Sequence, residues 1–258
     1  MCRVEDTLRT HRENAQEIGA AFAGEADRMA ARLRELAARM VTEPALGDPA
    51  SADFAAALNR RLTDGDGSYL GRARQYVEEL RAVAGTGGRS PGTTGTAPGT
   101  GVGYHRYEGY PLEEKIAWAA RDGGTRTLVA AQDALRALGR ELVASETRLR
   151  AVVTRLGGRW LGTAGTTAVS AMVAATQLGA QLEAVKRARY AMPRAAPPRD
   201  GVDRADGRIA YLFDVQTDVD ERVLRRRAAE DEADRQLYLL ESASRVHLAA
   251  IPVPGGQP

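Results

Sequence analysis

The sequence predicts an all-α protein, an elongated antiparallel bundle in which one helical hairpin packs along another. Leucine recurs every seventh residue from Leu128 to Leu156, which is the spacing of a long packed helix. Aromatic residues make up only 5% of the chain, while alanine and leucine are abundant, and side chains of this size favour packing between helices. No segment shows the regular alternation of a half-buried strand.

The first two helices form the predicted N-terminal hairpin. The first covers about residues 4–40, with an apolar stripe that recurs roughly every 3.5 residues. Proline and glycine in residues 44–49 end it. Asp48 caps the second helix, which has a proline at its first position, where a missing N–H is harmless. That helix extends to Val83, and the glycines of residues 64–67 loosen its middle.

A glycine-rich stretch separates this hairpin from the rest of the chain. Residues 85–103 contain eight glycines and no large apolar side chain except Val102. This composition is typical of a flexible linker, with a root-mean-square reach of about 25 Å. The sequence therefore predicts an N-terminal module over residues 1–84, a linker over 85–103, a C-terminal module over 104–254 and a tail over 255–258.

The C-terminal module is predicted to begin with a short helix and a long hairpin. The short helix carries Trp118 and stops at residues 123–124, which are both glycine. Thr125 then caps the long leucine-rich helix. The hairpin bends at residues 157–162, and the return helix ends near Tyr190.

A proline-rich loop is predicted to follow the hairpin and lead into the last helix. Asp218 and Glu221, three residues apart, indicate a capping box at the start of that helix. Residues 251–254, Ile-Pro-Val-Pro, end the last helix. The loop also holds an apolar cluster, Ile209, Tyr211, Leu212 and Phe213.

Several functional classes are excluded by the residues present. The net charge of +2 gives no general attraction to nucleic acid, and the basic residues 225–227 are followed closely by the acidic residues 230–232. Cys2 is the only cysteine, and the three histidines lie in separate segments without metal-ligand spacing. No nucleotide-binding or nucleophile motif is present. We therefore expect no enzyme activity, cofactor, metal site or nucleic-acid partner.

The stretch from Trp160 to Leu182 carries no charge over 23 residues. Seven of these residues are Ser, Thr or Gln and three are glycine, which disfavours insertion into a bilayer. The stretch therefore predicts a buried bundle helix and no stable membrane span. Residues 1–6 include three charged side chains and no apolar core, so we expect no cleavable signal peptide.

The C-terminal module carries motifs in the order found in PPE (Pro-Pro-Glu) proteins of mycobacteria and related actinobacteria. Residues 110–113, Tyr-Pro-Leu-Glu, stand where the family has an aromatic residue followed by Pro-Pro-Glu, with Leu112 in place of the second proline. Residues 122–124 match the glycine break, and residues 160–162 match the Trp-x-Gly turn. Residues 104–254 therefore resemble a PPE-type protein.

The N-terminal module resembles a PE (Pro-Glu) partner, because it is a two-helix hairpin of suitable length. In the family, PE and PPE proteins form a heterodimer in which each hairpin buries its apolar stripe against the other. The resemblance implies that the two modules pair within one chain here, with an effective concentration of about 1 mM. The expected interface consists of Ile18, Phe22, Met29, Leu33, Leu135, Leu142 and Leu149.

In the family, the Trp-x-Gly turn is part of a bipartite signal that a type VII secretion system reads. The resemblance implies this role for Trp160 and Gly162. Independently of it, Trp160 is expected to fill the bend, and Gly162 to permit close backbone approach or a positive φ. The other half of the signal is Tyr-x-x-x-Asp/Glu, which Tyr104 and Glu108 match. About one such match is expected by chance, and this one follows the linker instead of ending the first hairpin.

The resemblance also implies partners. In the family a cytosolic chaperone holds the hairpin end opposite the Trp-x-Gly turn, where the cluster Ile209, Tyr211, Leu212 and Phe213 is expected. The alternative is that this cluster folds back onto the bundle.

These features together predict a non-enzymatic protein recognised by a type VII secretion chaperone and ATPase machinery. It would be cytoplasmic before export, and secreted or at the cell surface afterwards. The alternative is an intracellular or phage-borne scaffold that uses the same bundle without export.

Overall fold

All regular secondary structure in the described part of the chain is helical. The computed structural model describes residues 2–85, 101–121, 123–160, 162, 164–196 and 212–254. These ranges contain seven α-helices, one 3-10 helix and no strand, which confirms the all-α prediction. The elements are α1 (Cys2–Arg39), α2 (Pro49–Thr63), α3 (Tyr69–Val83), the 3-10 helix (Tyr107–Gly109), α4 (Leu112–Ala120), α5 (Gly123–Arg155), α6 (Gly165–Ala191) and α7 (Leu212–Ala250).

The N-terminal hairpin consists of α1 followed by α2 and α3, and α3 packs back along α1. The second helix predicted from the sequence is therefore two helices, separated where the glycines were expected to loosen it. Gly65 in this break has a φ of +72°, a conformation that favours glycine. Asp48 caps α2, as predicted, and the side chain of Ser68 caps α3 by accepting a hydrogen bond from the Gly71 N–H at 3.0 Å.

The C-terminal hairpin consists of α5 and α6. The end of α5 is a Schellman turn, in which the N–H of Gly158 donates to the carbonyl of Val153 at 2.8 Å and that of Gly157 donates to Thr154 at 3.0 Å. Gly157 has a φ of +81°. A glycine in the left-handed region is what this turn requires, so the chain leaves α5 sharply toward Trp160.

The start of α5 differs from the sequence prediction. The helix begins at Gly123, so Thr125 lies within its first turn and is not the cap. A Cβ on Gly124 would lie 1.9 Å from the carbonyl oxygen of Pro44. The absence of a side chain at Gly124 thus allows α5 to begin against the loop that follows α1. The sequence prediction gives the glycines only the role of a break between two helices.

The start of α7 also differs from the prediction. The helix begins at Leu212, so Asp218 lies inside it and does not cap it. Glu221, the second residue of the predicted capping box, instead forms an exposed ion pair with Arg225 one helical turn later.

The two hairpins lie along each other. Helix α1 packs antiparallel on α5, α3 contacts α6, and α7 runs along both α6 and α2. A single apolar core extends through both modules. Ion pairs between α1 and α5 follow the antiparallel register: Glu17 with Arg155, Glu25 with Arg148, and Arg32 with Glu141.

The residues predicted for the interface between the modules lie in this core. Ile18 is partly buried against it. The others are at most 4% exposed: Phe22, Met29, Leu33, Leu135, Leu142 and Leu149.

Helix α6 contains most of the long uncharged stretch. Its inner face is built from small residues, among them the fully buried Ala171 and Ala174, while Val169 and Met172 on its outer face are exposed. Within the described ranges, no helix has both the length and the hydropathy needed to cross a membrane.

The last residues of the predicted linker pack on the bundle. Val102 is buried, and the N–H of Gly103 donates to the carboxylate of Asp53 on α2 at 2.9 Å. Arg245 on α7 donates to the carbonyl oxygens of Val102 and Gly103 at 3.3 and 2.7 Å. The packed part of the C-terminal module therefore includes residues 102–103, because side chains of α2 and α7 hold their backbone. Residues 86–100 and the tail at 255–258 lie outside the described residues.

Candidate recognition site

The Trp-x-Gly turn is built around a buried carboxylate on α5. Glu146 is 7% exposed, and both of its oxygens accept hydrogen bonds from the turn. The indole Nε1–H of Trp160 donates to Oε2 at 3.0 Å, and the backbone N–H of Ala164 donates to Oε1 at 3.0 Å. The turn is therefore tied to α5 at two points, before and after Gly162.

Gly162 lies directly against the same carboxylate. A Cβ at this position would lie 1.3 Å from Oε2 of Glu146, closer than any non-bonded contact allows. Among the glycines that the structure describes, Gly162 is not one of those with positive φ, whereas Gly157 is. Gly162 is thus required for close approach, and Gly157 supplies the left-handed backbone of the bend.

The turn also contacts the N-terminal module. The rings of Trp160 and Phe22 meet edge to face, with centroids 4.9 Å apart and planes inclined by 81°. Phe22, on α1, is 1% exposed, and Trp160 is partly buried. This geometry is favourable for aromatic pairs, so the packing of Trp160 depends on the position of α1.

An ion pair with a buried carboxylate joins α1 and α5 beside the turn. Glu25 is 4% exposed and accepts two hydrogen bonds from Arg148, from Nε at 3.1 Å and from Nη2 at 2.6 Å. Arg28 also pairs with it. Burial acts to raise the pKa of Glu25, but the hydrogen bonds and charge of Arg148, helped by Arg28, outweigh it and leave the pKa lowered. Glu25 is therefore ionised at neutral pH.

A hydroxyl pair connects α3 to the same region of α5. The phenol of Tyr76 lies 3.0 Å from Oγ of Ser145. Burial, together with the charges of Glu146 and Glu25, raises the pKa of Tyr76 to about 12. The phenol therefore stays protonated and able to donate. With the Glu25–Arg148 pair, this contact gives α1, α3 and α5 polar contacts close to the turn.

Tyr104 and Glu108, the expected second half of the signal, both contact α7. The centroid of the Tyr104 ring lies 3.4 Å from Cζ of Arg245, yet Tyr104 is 88% exposed. Glu108 accepts a hydrogen bond from the phenol of Tyr238 at 2.8 Å. The pKa of Glu108 is lowered, mainly by backbone hydrogen bonding at this residue and further by the hydrogen bond from the Tyr238 phenol.

These two residues are far from the Trp-x-Gly turn. The part of α7 that Tyr104 contacts packs beside Gln181 of α6, which donates to Ser244 at 2.8 Å. Gln181 lies 17 residues beyond Ala164 on the same helix, a distance of about 25 Å. The structure thus does not bring Tyr104 and Glu108 into one site with Trp160.

No family model, curated protein or solved structure matches this chain. Among the described residues, no group of three or more His, Cys, Asp or Glu side chains is arranged to hold a metal ion.

The predicted chaperone-binding cluster is only partly within the described residues. Ile209 and Tyr211 lie outside them, and Leu212 and Phe213 are the first two residues of α7. A binding role for this cluster stays a prediction.

Glu146 is the residue in direct contact with Trp160 and Gly162 that sequence reasoning did not single out. Its signal is an interruption of the heptad, because the polar pair Ser145 and Glu146 stands between the buried Leu142 and Leu149. Two polar residues at positions that face a core require partners. Trp160, the nearest downstream residue with a donor and an aromatic ring, is such a partner.

Proposed function

We propose that this protein is a non-enzymatic PE/PPE-like substrate of a type VII secretion system, with the two partner types joined in one chain. The observation that carries the proposal is the contact of Trp160 with Phe22. The Trp-x-Gly turn at the bend of the α5–α6 hairpin packs on α1 of the N-terminal hairpin. This packing supports the proposal, because the resemblance implies that a PE-like and a PPE-like module pair through their hairpins.

A folded, paired form is the species such a system would recognise. The turn presents Arg159 and Gly162 to solvent, while its indole is held between Glu146 and Phe22. A secretion ATPase would read this exposed part of the turn. A cytosolic chaperone would hold the opposite end of the hairpin, near residues 209–213, before export to the cell surface or medium.

Export of the wild type and of Trp160→Arg, in a host with an intact type VII system, tests the proposal. Val143→Arg, which introduces the same charged side chain at an exposed position of α5 outside the turn, is the matched control. A cytosolic marker reports lysis, and thermal unfolding of each purified variant reports folding.

We expect wild type and Val143→Arg in the medium and folded Trp160→Arg retained in the cells. Retention of the wild type despite a functioning system would contradict export and favour the intracellular scaffold.

A further inference from the structure

We infer that Glu146 is a third member of the Trp-x-Gly turn, a positioning residue whose two acceptor oxygens set the conformation of the turn. Trp160, Gly162 and Ala164 alternate along the chain, and all three meet the same carboxylate. The spacing of the motif is then explained by one side chain on the preceding helix. The structural part of this inference is independent of the proposed function, whereas the consequence of the inference for export rests on the proposed function.

The chemistry at this position requires two acceptors. An ionised carboxylate only accepts, and here each oxygen faces an N–H donor, one from an indole and one from the backbone. A glutamine has the same shape but offers one oxygen and one NH2 group. One of the two donors would then face another donor, and a buried N–H would lose its partner.

Glu146 also satisfies one backbone donor at the start of α6. Ala164 is the N-cap residue of this helix, and it has no side chain that could accept from the first turn. The Glu146 carboxylate accepts the N–H of Ala164 itself, as the glutamate of a capping box does, and it places a negative group at the positive end of the helix dipole. The nearby guanidinium of Arg148 is already hydrogen bonded to Glu25, so the turn itself supplies the partners of Glu146.

Hydrogen exchange in the full chain measures this role directly. The indole N–H of Trp160 and the amide of Ala164 are followed by NMR in the wild type, in Glu146→Gln and in Glu141→Gln. Trp118→Phe assigns the two indole signals. Glu141 is the matched control, because it lies on the same helix and undergoes the same chemical change at a more exposed position.

We expect Glu146→Gln to speed exchange by about tenfold at one or both sites, the effect of losing one hydrogen bond, with Glu141→Gln unchanged. Unchanged exchange at both sites in Glu146→Gln would overturn the inference. A global loss of structure would accelerate exchange throughout the core, so amides of α3 near Tyr76 serve as the internal reference.

Export then separates the inference from the proposed function. If the wild type is exported and Glu146→Gln, with its core protection intact, is retained, the positioning role extends to recognition. Normal export of Glu146→Gln with a disturbed turn would overturn that extension. If the wild type itself is not exported, the proposed function fails, and the exchange data decide the structural role alone.

Discussion

Arg148 on α5 donates two hydrogen bonds, at 3.1 and 2.6 Å, to the buried carboxylate of Glu25 on α1. The two residues belong to different modules, so this pair fixes one position of the N-terminal hairpin along the C-terminal hairpin. A shift of α1 by one turn would leave Glu25 buried without its main partner, which is costly. The pair therefore favours a single register between the modules, the register in which Phe22 meets Trp160.

Replacement of Arg148 by alanine should destabilise the protein. Removing one partner of a fully buried pair costs about 3–5 kcal/mol. Arg28 still pairs with Glu25 and Arg148 is 42% exposed, so we expect about 2 kcal/mol here. Denaturant unfolding measures the change. Arg150→Ala, at an exposed position on the same helix, should stay within about 0.5 kcal/mol of the wild type, and equal values for the two variants would contradict the role of the pair.

The same pair should make stability depend on pH in a defined direction. Because the pKa of Glu25 is lowered in the folded state, its contribution is fully present above the ordinary value of 4.5 and is lost as pH falls through the lower, folded-state pKa. The free-energy difference between wild type and Arg148→Ala should therefore shrink on acidification below 4.5.

Unfolding curves for both proteins, above and below that pH, measure this difference. Burial raises the pKa of Asp48, which acts in the opposite direction, but Asp48 is present in both proteins and cancels. A difference that stays constant with pH would show that the Glu25 pair does not titrate as proposed.

Much of the helical framework was predictable, because it depends on local spacing. The leucine heptad predicted α5, the capping residue Asp48 predicted the start of α2, and Gly157 and Gly158 predicted the end of α5. These features depend on neighbours within a few residues, where side-chain periodicity and backbone preference dominate.

The contacts of the site were not predictable in the same way. Glu146 meets Trp160 only because the chain reverses at the turn, and Val102 is buried only because α2 and α7 close over it. A glycine requirement was visible at position 162, but not its cause, a carboxylate from the preceding helix. Such contacts are set by tertiary packing, which single-sequence patterns do not encode.

Gly162→Ala should destabilise the turn through a direct clash. The added methyl would overlap the Glu146 carboxylate, and forcing both to fit should cost about 1–3 kcal/mol. Gly165→Ala is the matched control, because a Cβ there meets nothing within 4 Å, and it should be neutral or slightly stabilising.

Thermal unfolding of the single variants and of the double variant Gly162→Ala/Glu146→Ala measures the coupling. The double variant should lose less stability than the sum of the two single changes, because the smaller side chain at 146 makes room for the methyl group. Strict additivity would argue against the contact.

Truncations at the interface between the modules should be costly. Phe22 on α1 and Leu142 on α5 are at most 1% exposed, so replacement of either by alanine should cost about 2–5 kcal/mol. Val143 follows Leu142 but is 55% exposed, and Val143→Ala should change stability by less than about 0.5 kcal/mol. Equal stabilities of Leu142→Ala and Val143→Ala in urea unfolding would argue against packing of the hairpins at this position.

Two glycine-to-alanine substitutions should change the free energy of unfolding in opposite directions. Gly157 has a φ of +81°, where an L side chain is strained, so Gly157→Ala should destabilise the end of α5 by about 1 kcal/mol. Gly24 lies inside α1, and a Cβ there meets nothing within 4 Å, so Gly24→Ala should stabilise the protein by about 0.5–1 kcal/mol through helix propensity. Calorimetric unfolding of both variants compares the signs directly. A stabilising Gly157→Ala would mean that the Schellman turn is absent in solution, and the sharp exit of the chain toward Trp160 would then need another cause.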